Sequence, residues 1–259
     1  MWRFLILALA PVAAQAGPFA DTVADIYVLG EVHDNPVHHA AQADAIRDIG
    51  PRAVVFEMLT PAQAAEVRDD RLDDPDTLGD LLGWEEAGWP DFNMYYPIFT
   101  ASRGAAFYGA AVPREEARNA MEVGVARAFG EGAGDYGLED DLPAEELADR
   151  LNLQMDAHCG QLPVEMLPGM VDLQRLRDAT LARTAIRALD ETGGPVAVIT
   201  GNGHARRDWG VPSYIARVRP QLIVATLGQG EEGGTPDGGF DATLSAPGVD
   251  RGDPCAAFD

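Results

Sequence analysis

Residues 25–39, DIYVLGEVHDNPVHH, decide the fold. The apolar run that ends at Gly30 is continuous rather than alternating, which is typical of a strand buried on both faces of a sheet. Pro36 holds the preceding Asn35 out of helical conformation, and asparagine is a favoured N-cap. The segment therefore predicts a strand, a tight turn and a helix over residues 36–49, the unit from which α/β proteins are built.

The same alternation continues along the chain. Further apolar, β-rich runs occupy residues 52–57 (RAVVFE), 195–201 (PVAVITG) and 222–227 (LIVATL), with a weaker one at 105–110 (AAFYGA). Helical patterns, each with a proline near its start, occupy residues 61–71, 113–129, 143–157 and 163–189. This order predicts an α/β fold with a mainly parallel central sheet covered by helices.

The middle of the chain differs from its two ends. Residues 113–190 show no strand pattern, so we predict a helical insertion that forms a cap over the site. Within it, residues 130–142 are rich in glycine and acid, which indicates a mobile loop. Residues 240–245 are predicted to add an edge strand. Residues 17–259 together are interpreted as a single α/β domain, because their number suits one large domain.

The first sixteen residues have the features of a cleaved signal peptide. Arg3 gives a positive start, residues 4–14 are apolar, and Ala14-Gln15-Ala16 fits the small-x-small cleavage pattern. This apolar run is too short to span a bilayer, and no later stretch is long and apolar enough. The sequence therefore predicts an exported protein, periplasmic or secreted, with no transmembrane segment in its mature part.

The chain is strongly acidic. It holds 42 Asp and Glu residues against 19 basic residues, all of them arginine, and its formal net charge is −23. A surface of this kind repels the phosphates of nucleic acids and of anionic membranes. We therefore expect neither as a partner.

Two cysteines, Cys159 and Cys255, are present. In an exported chain a pair of cysteines predicts one disulfide, which here would tether the C-terminal tail. The alternative is that His158 and Cys159 contribute to a metal site.

Polar residues follow the predicted strands at the ends where α/β proteins bind ligands. Glu31 and His33 are two residues apart, so in extended backbone they point to the same side. Glu57 ends the second strand, and His204 follows Gly201-Asn202-Gly203 after a later one. We predict that these four side chains form the functional site. They would be the catalytic residues of an enzyme, and Glu31, His33 and His204 would be the ligands of a metal ion.

Three other groups of residues have two interpretations each. His38 and His39 lie in the first turn of the predicted helix, where neutral imidazoles are favoured but two adjacent rings cannot face one ligand equally. Aromatic residues crowd residues 84–99, either as core or as the wall of a flat, apolar ligand site. His158 lies near Met155 and Met166, which belong either to the core or to a pocket.

Four motifs occur in order over most of the mature chain. They are Gly30-Glu31-Val32-His33-Asp34-Asn35-Pro36-x-His38-His39, Trp89…Tyr95-x-Pro97, His158-Cys159-Gly160 with Gln174…Arg177-Asp178, and Gly201-Asn202-Gly203-His204-x-Arg206. Together they resemble the ChaN family of bacterial haem-binding or iron-regulated exported proteins. That family is distantly similar to the Tiki, TraB and erythromycin-esterase group, which includes hydrolases.

The resemblance implies haem as ligand, held between the subunits of a homodimer. It also implies a tyrosine oxygen as axial ligand, with histidine in support. Carried over on the Tyr-x-Pro motif, Tyr95 is the candidate ligand and Tyr96 the second candidate. The other candidate haem-binding residues are His38, His39, His158 and Arg206. The chain lacks the cysteine of a lipid anchor, which favours a free periplasmic protein.

Two functions follow as hypotheses. The first is an exported haem-binding protein that takes part in haem or iron uptake, with Arg103, Arg206 and Arg207 available for the haem propionates. The alternative is a hydrolase. In it, His33 and His204 with a carboxylate would bind a divalent metal and activate water, or Glu31 or His33 would act as general base without metal.

Overall fold

Six parallel strands form the centre of the molecule. The structure is a computed structural model that describes residues 17–253 and 255–256. In this part the strands are β1 Ile26–Leu29, β2 Ala53–Phe56, β3 Ala106–Gly109, β4 Val196–Ile199, β5 Val224–Glu231 and β6 Ala242–Ala246. They form one sheet in the order β3-β2-β4-β1-β5-β6. The predicted α/β class is confirmed, and the predicted edge strand at 240–245 is β6.

The strands are separated by helices, as the sequence predicted. The described helices are α1 Pro36–Ile49, α2 Pro61–Glu66, α3 Pro75–Leu82, α4 Trp84–Ala87, α5 Phe92–Ala101, α6 Arg114–Val123, α7 Val125–Phe129, α8 Ala144–Ala157, α9 Leu167–Thr192, α10 Asn202–Ala205 and α11 Val211–Val218. The predicted helix over 113–129 is divided because Gly124 has a φ of 89° and ends α6. The Asn35 side chain accepts a hydrogen bond from the Val37 amide, so Asn35 caps α1 as predicted.

Alternate residues of each central strand face opposite sides of the sheet. In β1, Ile26 and Val28 pack into one hydrophobic core, whereas Tyr27 and Leu29 pack into the other. Helices α6, α7, α9 and α11 cover the first side, and α1 with α3, α4 and α5 covers the second. Burial on both faces explains why the strand sequences are continuously apolar.

The helical stretch over 113–190 includes a helix that packs directly on the sheet. Helix α9 contacts β2, β3 and β4, whereas α8 packs on α9. The prediction of a mobile loop at 130–142 was wrong. Tyr136 and Leu138 are buried in the core, and Arg175 donates hydrogen bonds to the carbonyls of Gly137 and Asp140 at 2.7 Å each. A buried guanidinium fixes the glycine-rich backbone in place.

Hydrogen bonds join β5 to the segments that follow β1 and β4 at the carboxyl edge of the sheet. The Gln229 amide nitrogen donates to the carbonyls of Gly30 and His38 at 2.8 and 3.1 Å. Asn202 in turn donates to the Gln229 carbonyl at 2.7 Å. A Cβ at Gly30 would come within 2.6 Å of the Asn202 side-chain oxygen, so the position requires glycine. The edge that carries the polar residues is therefore rigidly assembled.

A disulfide fastens the tail across this edge. Cys159 and Cys255 are bonded, with Cα atoms 5.6 Å apart, which confirms the predicted pair over the metal alternative. Arg251 adds ion pairs to Asp34 and Glu231 at 2.6 Å. The predicted signal peptide, residues 1–16, lies outside the described residues. Within the described residues, no helix combines the length and apolarity that crossing a membrane requires.

Candidate functional site

Glu31, the first polar residue after β1, is buried and surrounded by donors. Its Oε1 accepts hydrogen bonds from His33 Nδ1 at 2.9 Å and from the Tyr95 hydroxyl at 3.0 Å. Its Oε2 contacts Nδ1 of His39, whose Nε2 donates to the His33 carbonyl at 2.9 Å. A buried carboxylate is costly unless it is paired in this way. We call Glu31, His33, His39 and Tyr95 the Glu31 cluster.

Two members of the Glu31 cluster are fully enclosed. The Tyr95 side chain is buried, and its ring packs against the His39 ring with centroids 3.9 Å apart. Burial and the negative charge of Glu31 raise the pKa of the Tyr95 phenol well above its ordinary value, so the hydroxyl keeps its proton. In this arrangement Tyr95 and His39 support Glu31 from inside the protein.

His33 is the member of the cluster that reaches solvent, since 37% of its side chain is exposed. Burial alone would lower the pKa of His33, but the hydrogen bond to Glu31 and the charge of Glu57 outweigh this effect and raise the pKa to about 9. The Nε2 atom of His33 has no hydrogen-bond partner among the described residues. A Cβ on Gly201 would lie 2.9 Å from Nε2, so glycine leaves that nitrogen room. The Trp89 ring lies 5.2 Å from the imidazole.

A second polar group lies at the ends of β2 and β4, and we call Glu57, Asp178, Thr200 and His204 the Glu57 cluster. Glu57 Oε2 accepts hydrogen bonds from the Thr200 hydroxyl at 2.6 Å and the Gly201 amide at 2.9 Å. His204 Nδ1 donates to Asp178 Oδ1 at 2.7 Å, and Nε2 lies 3.5 Å from Glu57 Oε1. The histidine therefore lies between two buried carboxylates.

The charges of the Glu57 cluster stabilise one another. Burial would raise the pKa of Glu57, but the charges of His204 and His33 and the bonds from Thr200 and Gly201 lower it to about 2. Burial likewise opposes protonation of His204, yet Glu57 and Asp178 raise the pKa of that histidine. These shifts favour an ionised Glu57 and a protonated His204, while the hydrogen bond to Asp178, whose own pKa burial raises, fixes the orientation of the ring.

The two clusters meet at a cavity of about 730 Å³. His33, Glu57 and His204 lie in its wall, and apolar walls come from Met58, Trp89, Val112 and Leu181. A smaller cavity of about 380 Å³ lies on the other side of His33 and His204, beneath α8. Both volumes fall in or near the usual range of small-molecule sites. The structure therefore brings Glu31, His33, Glu57 and His204 to one edge of the sheet, as predicted.

Other residues predicted for haem lie elsewhere and have partners of their own. His38 accepts a hydrogen bond from the Val32 amide at 3.0 Å and donates to the Gly230 carbonyl at 3.1 Å, and burial lowers its pKa. The Tyr96 hydroxyl donates to the Leu72 carbonyl at 2.7 Å. Both side chains therefore stabilise the fold. His38 and Tyr96 do not line the larger or the smaller cavity.

His158 and Arg206 are also occupied. His158 Nδ1 donates to the Gln154 carbonyl at 2.7 Å at the end of α8. Arg206 forms a two-point ion pair with Asp208 and lies 3.6 Å over the Trp209 ring. Arg103 and Arg207, proposed for propionates, are paired in the same way with Asp73 and Asp241. These arginines are neutralised by carboxylates of the protein itself.

The structure gives no support to the predicted metal site of Glu31, His33 and His204. In the part of the chain that the structure describes, no three His, Cys, Asp or Glu side chains are grouped so that they could hold a metal ion. The reason is that Glu31 is bonded within its own cluster, whereas His204 is held between Asp178 and Glu57. The two histidines belong to separate pairs.

Sequence reasoning placed no residue of α9 in the site. Asp178 and Gln174 line the smaller cavity, and Gln174 and Arg177 line the larger one. Arg177 and Asp178 follow Gln174 by three and four residues, which puts all three on one face of the helix. Asp178 lies on the face that packs into the core, where a charged residue needs a partner. This position was the feature of the sequence that could have assigned α9 to the site.

Comparisons with known proteins agree with this architecture. Residues 22–215 match the family model described as "Haem-binding uptake, Tiki superfamily, ChaN". Among solved structures, ChaN of Campylobacter jejuni, described as binding haem cofacially, is 17% identical with a TM-score of 0.63, over 85% of this chain and 86% of that chain. No curated protein matches the sequence significantly.

Weaker structural likenesses are found with two other proteins. The type III effector HopBA1 is 10% identical with a TM-score of 0.47, over 86% of this chain and 88% of that chain. A mutant of the erythromycin esterase EreC in its open conformation is 13% identical with a TM-score of 0.41, over 80% and 70% of the two chains. At these identities, the likeness to solved structures concerns the fold alone.

Proposed function

The chain belongs to the ChaN family of the Tiki superfamily, and from that premise we propose that it binds haem in the 730 Å³ cavity beside His33. Haem needs an apolar slot, an axial ligand atom and cations for its propionates. The cavity supplies aromatic and aliphatic walls from Trp89, Met58 and Leu181. The residues present therefore fit the group.

The observation that carries the proposal is the orientation of His33. Its Nδ1 is bonded to Glu31, which leaves Nε2, a nitrogen with no hydrogen-bond partner among the described residues, as the atom that could bind iron. The raised pKa of His33 keeps a proton on Nε2 at neutral pH, and iron would take the place of that proton. Histidines that bind metals in proteins are usually oriented by such a bond to a carboxylate. Haem, when bound, would supply the iron. The chain's own residues would hold the ring of His33, enclose the apolar macrocycle and exclude water.

Tyr95 suits a supporting role in this proposal better than the role of axial ligand. Its hydroxyl already donates within the Glu31 cluster, and the side chain is fully buried behind His33. A tyrosine that binds iron must expose its oxygen to the ligand and lose its proton. Tyr95 would have to break two hydrogen bonds to do so.

We extend the proposal to haem uptake outside the cytoplasm. The features of residues 1–16 and the Cys159–Cys255 disulfide support it, because disulfides persist in oxidising compartments. Cofacial haem binding is the description of the Campylobacter ChaN structure. Two haems that face each other suit two copies of one chain, so a homodimer is part of the proposal.

A haem titration tests the proposal. Ferric haem is added to the mature protein, and the Soret band is followed together with the stoichiometry. We expect a saturable, shifted band at one haem per chain, and we expect His33→Ala to move that band and weaken binding at least about tenfold. His158→Ala is the matched control, because His158 is another partly buried histidine outside both cavities. Absence of saturable binding contradicts the proposed function, whereas an unchanged band in His33→Ala contradicts only the assigned ligand.

A second candidate function is hydrolysis, and the Glu57 cluster favours it. A histidine oriented by a buried aspartate is common in hydrolases. Here Asp178 orients His204, and both His204 and Glu57 line the larger cavity. Because the pKa of His204 is raised by Glu57 and Asp178 against the effect of burial, His204 would donate a proton to a leaving group rather than accept one.

An ester and amide screen tests this second candidate. We expect turnover by the wild type and its loss in His204→Asn, with circular dichroism showing that the variant is folded. His158→Asn is again the control. Turnover that survives in His204→Asn rules out this role for the Glu57 cluster.

A further inference from the structure

Among the described residues, Arg177 has no acceptor oxygen within hydrogen-bond or ion-pair distance, although the protein has an excess of carboxylates. Most arginines in residues 17–253 bind an acceptor oxygen. Those with no such contact to described residues are Arg114, Arg118, Arg127 and Arg177. The first three are exposed, whereas Arg177 is half-buried in α9. A half-buried cation is stabilised by an anion that binds beside it.

Two buried carboxylates near Arg177 are already committed: Glu57, which lines the cavity, and Asp178, the next residue in α9. Glu57 is bonded to Thr200, Gly201 and His204, and Asp178 is bonded to His204. Glu86, the other carboxylate that lines the cavity, is exposed. The charge of Arg177 opposes the rise in the pKa of His204, so the guanidinium lies near enough to act on that ring. Its hydrogen-bond donors therefore remain available to something that enters the cavity.

We propose that Arg177 binds a carboxylate of the ligand, and that the cavity selects ligands in which an acid is attached to a large apolar body. The proposal rests on the function proposed above, in which that acid is a propionate of haem. Arg177, His33 and Trp89 line the same cavity, so a cation, a ligand nitrogen and an apolar wall face one space. Planar guanidinium groups pair with carboxylates through two hydrogen bonds.

The charge of the whole chain favours such a residue. With a formal net charge of −23, the protein as a whole repels anions. His33 and His204 in the same cavity wall are bonded to carboxylates of the protein, so Arg177 is a half-buried cation left to compensate this repulsion. Arg114 lies at the rim of the same cavity but is exposed, so its contribution would be screened by solvent.

The test compares ferric haem with its dimethyl ester, which has no free carboxylate. Each is titrated into the wild type and into Arg177→Gln, Arg114→Gln and Arg118→Gln. We expect Arg177→Gln to weaken haem binding by about tenfold to a hundredfold and to leave binding of the ester within about twofold. The expected order of effects is Arg177, then Arg114, with no change at Arg118, the exposed control on α6.

A second measurement compares the two ligands on the wild type. The wild type should bind the ester more weakly than haem, by the same factor by which Arg177→Gln weakens haem binding. Arg177→Lys should recover part of the lost haem affinity. If Arg177→Gln weakens both ligands equally, Arg177 has a structural role and the inference fails while haem binding stands. If the wild type binds neither porphyrin, the proposed function fails and the inference fails with it.

Discussion

Glu31 and Glu57 are buried glutamates at the ends of β1 and β2, the two strands that flank β4, yet their surroundings differ. Glu31 is bonded mainly to side chains close to it in sequence, His33 and His39, with Tyr95 from α5. Glu57 is bonded to Thr200 and Gly201, which follow β4, and pairs with His204 in α10.

The difference lies in what each cluster exposes. In the Glu31 cluster, one histidine ring reaches the cavity with a ring nitrogen that has no described partner. In the Glu57 cluster, both nitrogens of His204 face carboxylates. A buried glutamate at a strand end thus orients a histidine with an open ring nitrogen in the Glu31 cluster. In the Glu57 cluster it forms an ion pair with a histidine whose two nitrogens are both occupied. Four substitutions and one pH series test this contrast.

The largest effect is expected for Glu57→Gln. It removes the negative charge next to a buried imidazolium, and breaking a buried pair costs about 3 kcal/mol of the free energy of unfolding. Urea unfolding followed by circular dichroism measures the change. A loss below about 1 kcal/mol, the size of a surface ion pair, would show that His204 is not charged in the folded protein.

Glu31→Gln should act on ligand binding. The neutral amide of the variant polarises His33 less than the carboxylate does. Loss of a residue that orients a metal-binding histidine typically lowers affinity tenfold to a hundredfold, which corresponds to about 1.4 to 2.7 kcal/mol. Soret titration of folded protein measures it. Glu57→Gln is the comparison variant: it removes a charge from the cavity wall but leaves the hydrogen bond between Glu31 and His33 in place, so it should lower haem affinity less. Equal losses in the two variants would remove the distinction between the clusters.

The clusters should also control stability in different pH ranges. The folded pKa of Glu57, about 2, is below its ordinary 4.5, so its contribution is complete above pH 4.5 and is lost as the pH falls towards 2. The folded pKa of His33, about 9, is above its ordinary 6.5, so its contribution is complete below pH 6.5 and is lost as the pH rises through 9.

Unfolding midpoints across pH 2 to 10 would separate these contributions. We expect Glu57→Gln to flatten the pH dependence of the unfolding midpoint in the acid range, and His33→Gln to flatten it in the alkaline range. His204, whose pKa is also raised, contributes in the alkaline range too. The contribution of His33 is therefore the difference in midpoint between His33→Gln and the wild type at each pH. Because the charge of Glu57 also raises the pKa of His33 and of His204, Glu57→Gln should change the alkaline range as well. An acid range left unchanged by Glu57→Gln would show that the assignment of an ionised Glu57 is wrong.

Much of the fold was predictable because the strands are continuously apolar and the helices begin at prolines. The strand ends also predicted that Glu31, His33, Glu57 and His204 would lie at one edge. The helices α3 and α4 were not predicted, since they are short and depend on packing against α5. The loop at 130–142 was misjudged because its order comes from Arg175, which is distant in sequence.

The pairing within the site was not predictable in the same way. It depends on strand order, which places β4 between β1 and β2, and periodicity does not reveal that order. Asp178 and Arg177 lie within a long helix, and only its packing on the sheet brings them to the cavity. Likewise, the sequence presents Tyr95 as an aromatic residue available for haem, whereas burial encloses it.

The smallest effect is expected for Tyr95→Phe, which separates a supporting residue from a ligand. The change removes one donor to Glu31 and should cost about 1 kcal/mol of the free energy of unfolding and less than tenfold in haem affinity. The position of the Soret band should not move, because the spectrum depends on the atom bound to iron and His33 would still supply it. A shifted band would instead make Tyr95 the ligand, as the sequence resemblance implied. Since affinity falls in either case, the band position is the measurement that decides between the two residues.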